Sequence, residues 1–196
     1  SFDLSYLRLV PGMVIMAPKD ESELRDMLYT AVEYKEGPIA LRYPRGNGEG
    51  VQMKQGFDLV PIGKGETVRR GDDVALLAIG EMVYPAMKAA EQLAERGTSC
   101  EVVNMRFVKP LDEEILESIA SRFKRVVTLE NNTKTGGFGG AVMEHFASRH
   151  HSQIELLIHG LPDRFVEHGS PAELMKEVQL DTEGIVTVVS KFLTKE

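Results

Sequence analysis

Hydrophobic residues after position 73 alternate between short continuous runs and longer stretches with helical spacing. The runs of strand length are residues 74–79, 100–105, 126–129 and 154–158. Apolar residues that recur every three or four positions mark helices with one buried face; they lie at residues 82–93, 110–119, 142–146, 172–178 and 185–193. Strands and helices alternate four times, so we predict an α/β fold, a mostly parallel sheet with helices on both faces.

The first 46 residues contain a separate strand, helix and strand pattern. Residues 13–17 and 39–42 have the composition of buried strands. The helix between them is predicted to begin after Asp20, because an acid there and Glu23 three residues later form a helix-capping pattern, and to end at Gly37. This order predicts a parallel strand pair at the end of an α/β sheet.

The glycine-rich stretch over residues 43–72 separates these two patterns. We therefore predict the tail of one α/β domain at residues 1–46, a linker at residues 47–56, and a complete second domain at residues 57–196. Alternating polarity over residues 57–68 predicts a short hairpin or an edge strand. Because the chain opens on an apolar cluster without an initiator methionine, we expect that it begins inside the first domain.

Composition excludes several classes of protein. The formal charge of -7, without clustered Lys and Arg, argues against a nucleic-acid partner. No apolar stretch approaches the roughly 20 residues that span a bilayer, so a membrane partner is not expected. The lone cysteine, Cys100, excludes an internal disulfide and a multi-thiolate metal site; we expect a buried thiol in a protein of the reducing cytosol.

Glycines at residues 136–140 follow a predicted strand and precede a helix. Such a loop can hold phosphate on bare backbone N–H groups, but the spacing G-G-F-G-G differs from the G-x-G-x-x-G of dinucleotide sites. The turn also belongs to the third strand of its unit, and no acidic residue ends a strand about twenty residues later. We favour a tight strand-to-helix turn over a dinucleotide site.

The histidines and the paired acids indicate no reaction of their own. Glu113 and Glu114 lie at a predicted helix start, where negative charge is favourable, so we assign them no acid-base role. No two histidines lie on one helix face with a carboxylate at metal-ligand spacing, and His150 and His151 are predicted to form an exposed helix end. Nucleophilic hydrolysis lacks support because no Gly-x-Ser-x-Gly elbow and no Cys–His pair are present. The segment between His159 and Gly169 fits an interface or a pocket wall, and we favour the interface.

The strongest local candidate for ligand binding is the turn at residues 42–46, which follows a buried strand. Ligands of open α/β sheets bind at the carboxyl ends of strands, and a guanidinium there can bind a phosphate through two parallel hydrogen bonds. From the residues alone, Arg42 and Arg45 fit a surface or domain-locking role equally well.

Six long runs resemble the 1-deoxy-D-xylulose-5-phosphate synthase family of transketolase-like, thiamin-diphosphate enzymes. They are FDLSYLR at 2–8, MVIMAPKDE at 13–21, RYPRG at 42–46, PIGKG at 61–65, NMRFVKPLD at 104–112 and GLPDRFVEHG at 160–169. The resemblance covers almost the whole chain. It departs from the family pattern after Glu130, where a second acid followed by Asn is expected and this chain has Asn131 and Asn132.

The resemblance implies a three-domain architecture, of which this chain holds the end of the pyrimidine-binding domain and the third domain. The implied reaction condenses pyruvate with glyceraldehyde 3-phosphate and releases CO2, supplying isoprenoid, thiamin and pyridoxal synthesis. The implied cofactors, thiamin diphosphate and Mg2+, would bind residues upstream of this chain, in the rest of the same polypeptide. Only Arg45 matches a substrate residue of the family, as the ligand of the aldehyde's phosphate.

The resemblance also implies a homodimer and a chain that is inactive alone. Two other interpretations stay open. The second domain fits a non-catalytic assembly or regulatory module, for which the segment from His159 to Gly169 would supply contacts. A transketolase-like subunit of a 2-oxoacid dehydrogenase shares the fold and cofactor but fits the run at residues 2–8 poorly.

Overall fold

A computed structural model describes residues 1–194, which form two sheets covered by helices. The helices are α1 (Asp3–Arg8), α2 (Glu21–Glu33), α3 (Val83–Glu95), α4 (Glu113–Arg122), α5 (Phe138–Ser148), α6 (Pro171–Glu177) and α7 (Thr182–Leu193). The strands are β1 (Val14–Met16), β2 (Ile39–Leu41), β3 (Glu66–Arg69), β4 (Val74–Ala78), β5 (Cys100–Asn104), β6 (Phe107–Lys109), β7 (Arg125–Thr133) and β8 (Glu155–Leu161). None of the helices among these residues is both long and apolar enough to cross a membrane.

The larger sheet has the strand order β3-β5-β4-β7-β8. Its four strands β5, β4, β7 and β8 run parallel, and β3 pairs antiparallel with β5 at one edge. Strand β4 is buried along its whole length because helices cover both faces. This architecture confirms the predicted α/β fold.

The two faces of this sheet form separate hydrophobic cores. Leu76 and Val127 face α3 and α7, where Ala86, Leu93 and Val186 complete the packing. On the other face, the alternate strand residues Ala75, Leu77 and Val103 pack against α4, α5 and α1. These helices contribute Leu116, Phe138 and Leu4, respectively. Helix α1, from the predicted first domain, is therefore part of the core of the second.

The smaller sheet joins the two parts of the chain. Strands β1 and β2 pair in parallel, as predicted, with Val14 opposite Ile39. Strand β6 pairs antiparallel with the other edge of β1, and its Phe107 is fully buried beside Met16 and Met27. We did not predict β6. Its partner lies about ninety residues earlier in the chain, so no local pattern marks the pairing.

The hairpin that we considered for residues 57–68 is wrong, whereas the edge strand is correct as β3. Residues 57–60 form no strand because they pack on α2 instead. The N–H of Val60 donates to Thr30 Oγ1 at 2.8 Å, and the Val60 side chain is buried against the same helix. Upstream, the carboxylate of Glu21 accepts the N–H groups of Gly50 and Val51, which holds the glycine-rich segment to the start of α2.

Cys100 lies at the start of β5 and is fully buried, as expected. Burial raises the pKa of its thiol to about 11, so little reactive thiolate forms at neutral pH. We expect Ellman's reagent at pH 8 to modify Cys100 only after denaturant is added. Rapid modification of the native chain would contradict this placement, and a Cys100→Ser variant supplies the blank.

Candidate functional site

A cavity of about 850 Å3 lies where the carboxyl end of β2 meets α1 and the segment after β8. The turn at residues 42–45, the first residues of α1 and the region from Leu161 to Val178 supply most of its wall. This position, at the end of a parallel strand, is the one at which α/β sheets bind ligands. The predicted turn therefore does border a pocket of ligand size.

Arg42 is locked into the protein and is not available to a ligand. Its guanidinium lies 3.3 Å from Asp3, 3.4 Å from Glu81 and 2.5 Å from the carbonyl oxygen of Asn131. Asn131 also donates its side-chain N–H to Glu81 at 2.7 Å. These contacts connect Arg42 to three separate stretches of the chain. The domain-locking role that we left open therefore belongs to Arg42.

Arg45, three residues later, is exposed at the cavity wall. Within residues 1–194 it forms no salt bridge and no side-chain hydrogen bond, whereas the third arginine of the wall, Arg164, pairs with Glu177 at 2.6 Å. Arg45 therefore supplies the uncompensated positive charge at this cavity. A planar guanidinium with open donors is suited to a phosphate or carboxylate group.

The segment from His159 to Gly169 contributes the opposite wall. Pro162, Phe165 and Val166 line the cavity, and Phe165 is 89% exposed. The segment begins at the anchored His159, whose Nε2 lies 2.7 Å from the carbonyl oxygen of Gln179 and whose pKa is lowered by burial. The pocket-wall interpretation therefore has structural support, and an interface role remains a prediction.

The glycine turn at residues 136–140 closes over a buried carboxylate. Glu130 accepts the N–H of Phe138 at 2.7 Å and that of Gly139 at 2.8 Å, at the start of α5. These are the groups that would bind a phosphate in a dinucleotide site, so the tight-turn interpretation is confirmed. A Cβ atom on Gly137 would come within 2.2 Å of the Glu130 carboxylate, which explains the glycine there.

Glu130 is a buried titratable residue that sequence reasoning missed, and it lies beneath the glycine turn rather than in the cavity wall. It is fully buried, and burial raises the pKa of its carboxyl group to about 7, although the two backbone N–H groups favour the charged form. In the sequence it was only the acid before Asn131. The sequence signal was the pair of turn glycines at which a side chain would not fit, because it indicates that another group packs beneath the turn.

His145 and His151 lie away from this cavity, and the prediction of an exposed helix end is wrong for His151. His145 and His151 place Nε2 at 3.0 and 2.9 Å from the two oxygens of Glu117 on α4. The chain turns back at His150, which is exposed and has φ of 61°, so His151 points toward α4. Hydrogen bonds from His151 and His145 lower the pKa of Glu117.

The described residues do not fit a magnesium and diphosphate site. In the part of the chain up to residue 194, no three carboxylate, histidine or cysteine side chains gather where they would hold a metal ion. The predicted helix-start acids serve structure instead: Glu113 pairs with Arg149 at 2.6 Å and Glu114 with Lys64 at 2.7 Å. The exposed guanidinium of Arg45 makes anion binding the chemistry that this cavity offers.

Comparison with known proteins identifies both parts of the chain. Residues 63–185 match the family model described as transketolase, C-terminal domain, and residues 1–50 match transketolase, pyrimidine binding domain. Curated relatives named 1-deoxy-D-xylulose-5-phosphate synthase include that of Synechococcus elongatus, 52% identical over 91% of this chain, and that of Gloeobacter violaceus, 47% identical over all of it. The chain spans only 28% and 31% of the lengths of these two relatives.

Solved structures agree with this assignment. A split-gene transketolase, described as an inactive β4 tetramer, is 30% identical and has a TM-score of 0.82 over 98% of this chain and 61% of its own. A transketolase from Pichia stipitis, 20% identical, shares the fold with a TM-score of 0.71 over 97% of this chain and 26% of its own. The chain therefore belongs to the transketolase family, and its sequence places it with the 1-deoxy-D-xylulose-5-phosphate synthases of that family.

Proposed function

We propose that the protein containing this chain condenses pyruvate with glyceraldehyde 3-phosphate, releasing CO2 and forming 1-deoxy-D-xylulose 5-phosphate. This product would serve isoprenoid, thiamin and pyridoxal synthesis. The names of the relatives support the synthase over the 2-oxoacid dehydrogenase subunit. The reducing cytosol is the proposed compartment.

The observation that carries a role for this chain is the open guanidinium of Arg45 at the cavity. We assign Arg45 to the phosphate of the aldehyde, because a phosphate accepts two parallel hydrogen bonds from one guanidinium. The neighbouring arginines cannot share the role without breaking their own pairs, Arg42 with Glu81 and Arg164 with Glu177. Because Arg42 and Arg164 are paired with carboxylates, Arg45 is the arginine of this wall whose positive charge is not neutralised by a carboxylate of residues 1–194.

The rest of the machinery is proposed to lie outside this chain. When bound to the complete enzyme, thiamin diphosphate with Mg2+ supplies the carbanion chemistry. Within residues 1–194 no group of side chains is placed to hold the metal ion, so the part proposed for this chain is to bind and orient the phosphorylated acceptor. We propose a homodimer for the complete enzyme, and residues 1–46, 47–56 and 57–196 as domain end, linker and third domain.

The experiment that tests this proposal measures deoxyxylulose-phosphate formation from the two substrates with thiamin diphosphate and Mg2+. The chain alone should show no turnover above a buffer blank, and the complete polypeptide should be active. Turnover by the chain alone would mean that the reactive centre lies within it. An inactive complete polypeptide, folded and loaded with cofactor, would reject the proposed reaction.

A further inference from the structure

Helix α1 lies on the glycine turn through its last residue, Arg8. The guanidinium of Arg8 donates to the carbonyl oxygens of Gly136 at 2.7 Å and Gly137 at 2.9 Å, and it pairs with Glu144 of α5. Its side chain is only 14% exposed. One side chain thus makes three contacts with a segment about 130 residues later in the chain.

The turn presents those carbonyl groups because Glu130 holds it from the opposite side. The carboxylate accepts the N–H groups of Phe138 and Gly139. Because the N–H of Phe138 and the carbonyl of Gly137 belong to one trans peptide, that carbonyl points away from Glu130, toward Arg8. A Cβ on Gly140 would lie 3.4 Å from the Arg8 guanidinium, so a larger residue there would crowd it. The motif G-G-F-G-G therefore forms the surface on which the end of α1 packs.

Other contacts fix the middle and the carboxyl end of the same helix. Ser5 Oγ donates to the carbonyl oxygen of Thr135 at 2.8 Å and accepts from Asn132 Nδ2 at 3.0 Å. Past the end of the helix, the Lys109 ammonium donates to the carbonyl oxygens of Arg8 and Val10 at 3.1 and 2.8 Å. Helix α1 is short, so its position depends on these contacts more than on its own hydrogen bonds.

The first turn of this helix is part of the cavity wall. Ser1, Phe2 and Asp3 line the cavity together with Arg45. Asp3 also pairs with Arg42, which belongs to the turn at residues 42–46 that contains Arg45. A shift of α1 relative to the glycine turn would therefore move this part of the cavity wall and the anchor of Arg42. Misplacement of a binding group by about 1 Å can cost up to roughly 100-fold in rate.

We propose that Arg8 is a positioning residue for the phosphate pocket, which it serves by fixing α1 on the glycine turn. The role rests on the proposed function of Arg45. Arg8 touches no substrate, and it acts through the wall formed by residues 1–3 and through the Asp3–Arg42 pair. Its loss should therefore affect the phosphorylated acceptor more than an acceptor without phosphate.

The test compares glyceraldehyde 3-phosphate with D-glyceraldehyde as acceptors for the complete enzyme, at saturating pyruvate. We expect Arg8→Ala to lower the ratio of the two kcat/KM values roughly tenfold, through a higher KM for the phosphorylated aldehyde. Arg8→Lys keeps the charge and one carbonyl contact, so it should recover part of the ratio. Arg149→Ala removes a more exposed arginine just past the end of α5 and should leave the ratio unchanged.

The outcomes separate this inference from the proposed function. An equal loss with both acceptors in Arg8→Ala and Arg8→Lys would mean that Arg8 only supports folding, and an unchanged ratio in both would also overturn the inference. Arg45→Ala is the reference. If it lowers the ratio and the Arg8 variants do not, the inference alone fails. If Arg45→Ala leaves the ratio unchanged, the phosphate pocket is wrong and the inference falls with it.

Discussion

Arg45→Ala in the complete enzyme is expected to lower kcat/KM for glyceraldehyde 3-phosphate by about 10- to 100-fold and to spare the KM for pyruvate. The reason is the loss of charged hydrogen bonds worth about 1.5–3 kcal/mol, which corresponds to that range of affinity. Arg45 is exposed and bound to no other described side chain, so its removal should not disturb the fold. Steady-state kinetics with each substrate varied in turn measures the effect.

Two controls sharpen this measurement. D-glyceraldehyde lacks the phosphate, so kcat/KM for this acceptor should be the same in the parent enzyme and in Arg45→Ala. Arg164→Ala removes another guanidinium of the same wall, which is already paired with Glu177, and should change the KM for the aldehyde little. An unchanged KM for the phosphorylated aldehyde in Arg45→Ala would remove Arg45 from the site.

The elements that sequence predicted correctly are those whose cause is local. Asp20 caps α2 by accepting the N–H of Glu23, as the spacing indicated. Gly97, with φ of 83°, follows the end of α3, where a left-handed residue is easiest for glycine. Apolar periodicity gave β4 and α3 because each buries residues against several neighbours. The helix and strand order, and hence the α/β fold, followed from these signals.

The elements that sequence missed depend on distant partners. Strand β6 exists because the edge of β1 is available for pairing. A second example is Glu23, whose carboxylate was expected to reach back at the start of its own helix. Glu23 does reach back, to the N–H of Lys19, but its carboxylate also accepts from Asn104 and Arg106, more than eighty residues later. A capping pattern predicts the start of a helix, but it does not predict which distant groups compete for its side chain.

The site was predicted only in part, because some of its contacts also come from distant parts of the chain. The residues themselves placed a guanidinium at the end of a strand but did not distinguish Arg42 from Arg45, because the carboxylates that neutralise Arg42 come from α1 and from the turn before α3. Asn131, which replaces the acid expected from the resemblance, gives its carbonyl oxygen to Arg42 and its amide to Glu81. Asn131 therefore contributes a neutral partner to the contacts that hold Arg42 in place.

The stability of the chain should depend on pH through Glu130, the buried carboxylate beneath the glycine turn. Its pKa in the folded protein is about 7, above the ordinary value of 4.5, because burial disfavours the charged form. Between pH 4.5 and 7 the folded state therefore binds more protons than the unfolded state, and the free energy of unfolding falls as pH rises. The stabilisation is present in full below pH 4.5 and is lost by pH 7.

Glu130→Gln cannot titrate, so its free energy of unfolding should lack this decline. We expect the stability of Glu130→Gln relative to the parent to rise by about 2–3 kcal/mol from pH 5 to pH 8, since each pKa unit corresponds to about 1.4 kcal/mol. Urea denaturation of this chain at several pH values measures the difference. Glu95→Gln, at the exposed end of α3, should keep the parent's pH dependence. Parallel curves for the parent and Glu130→Gln would show that Glu130 stays ionised throughout, and that its two backbone hydrogen bonds outweigh its burial.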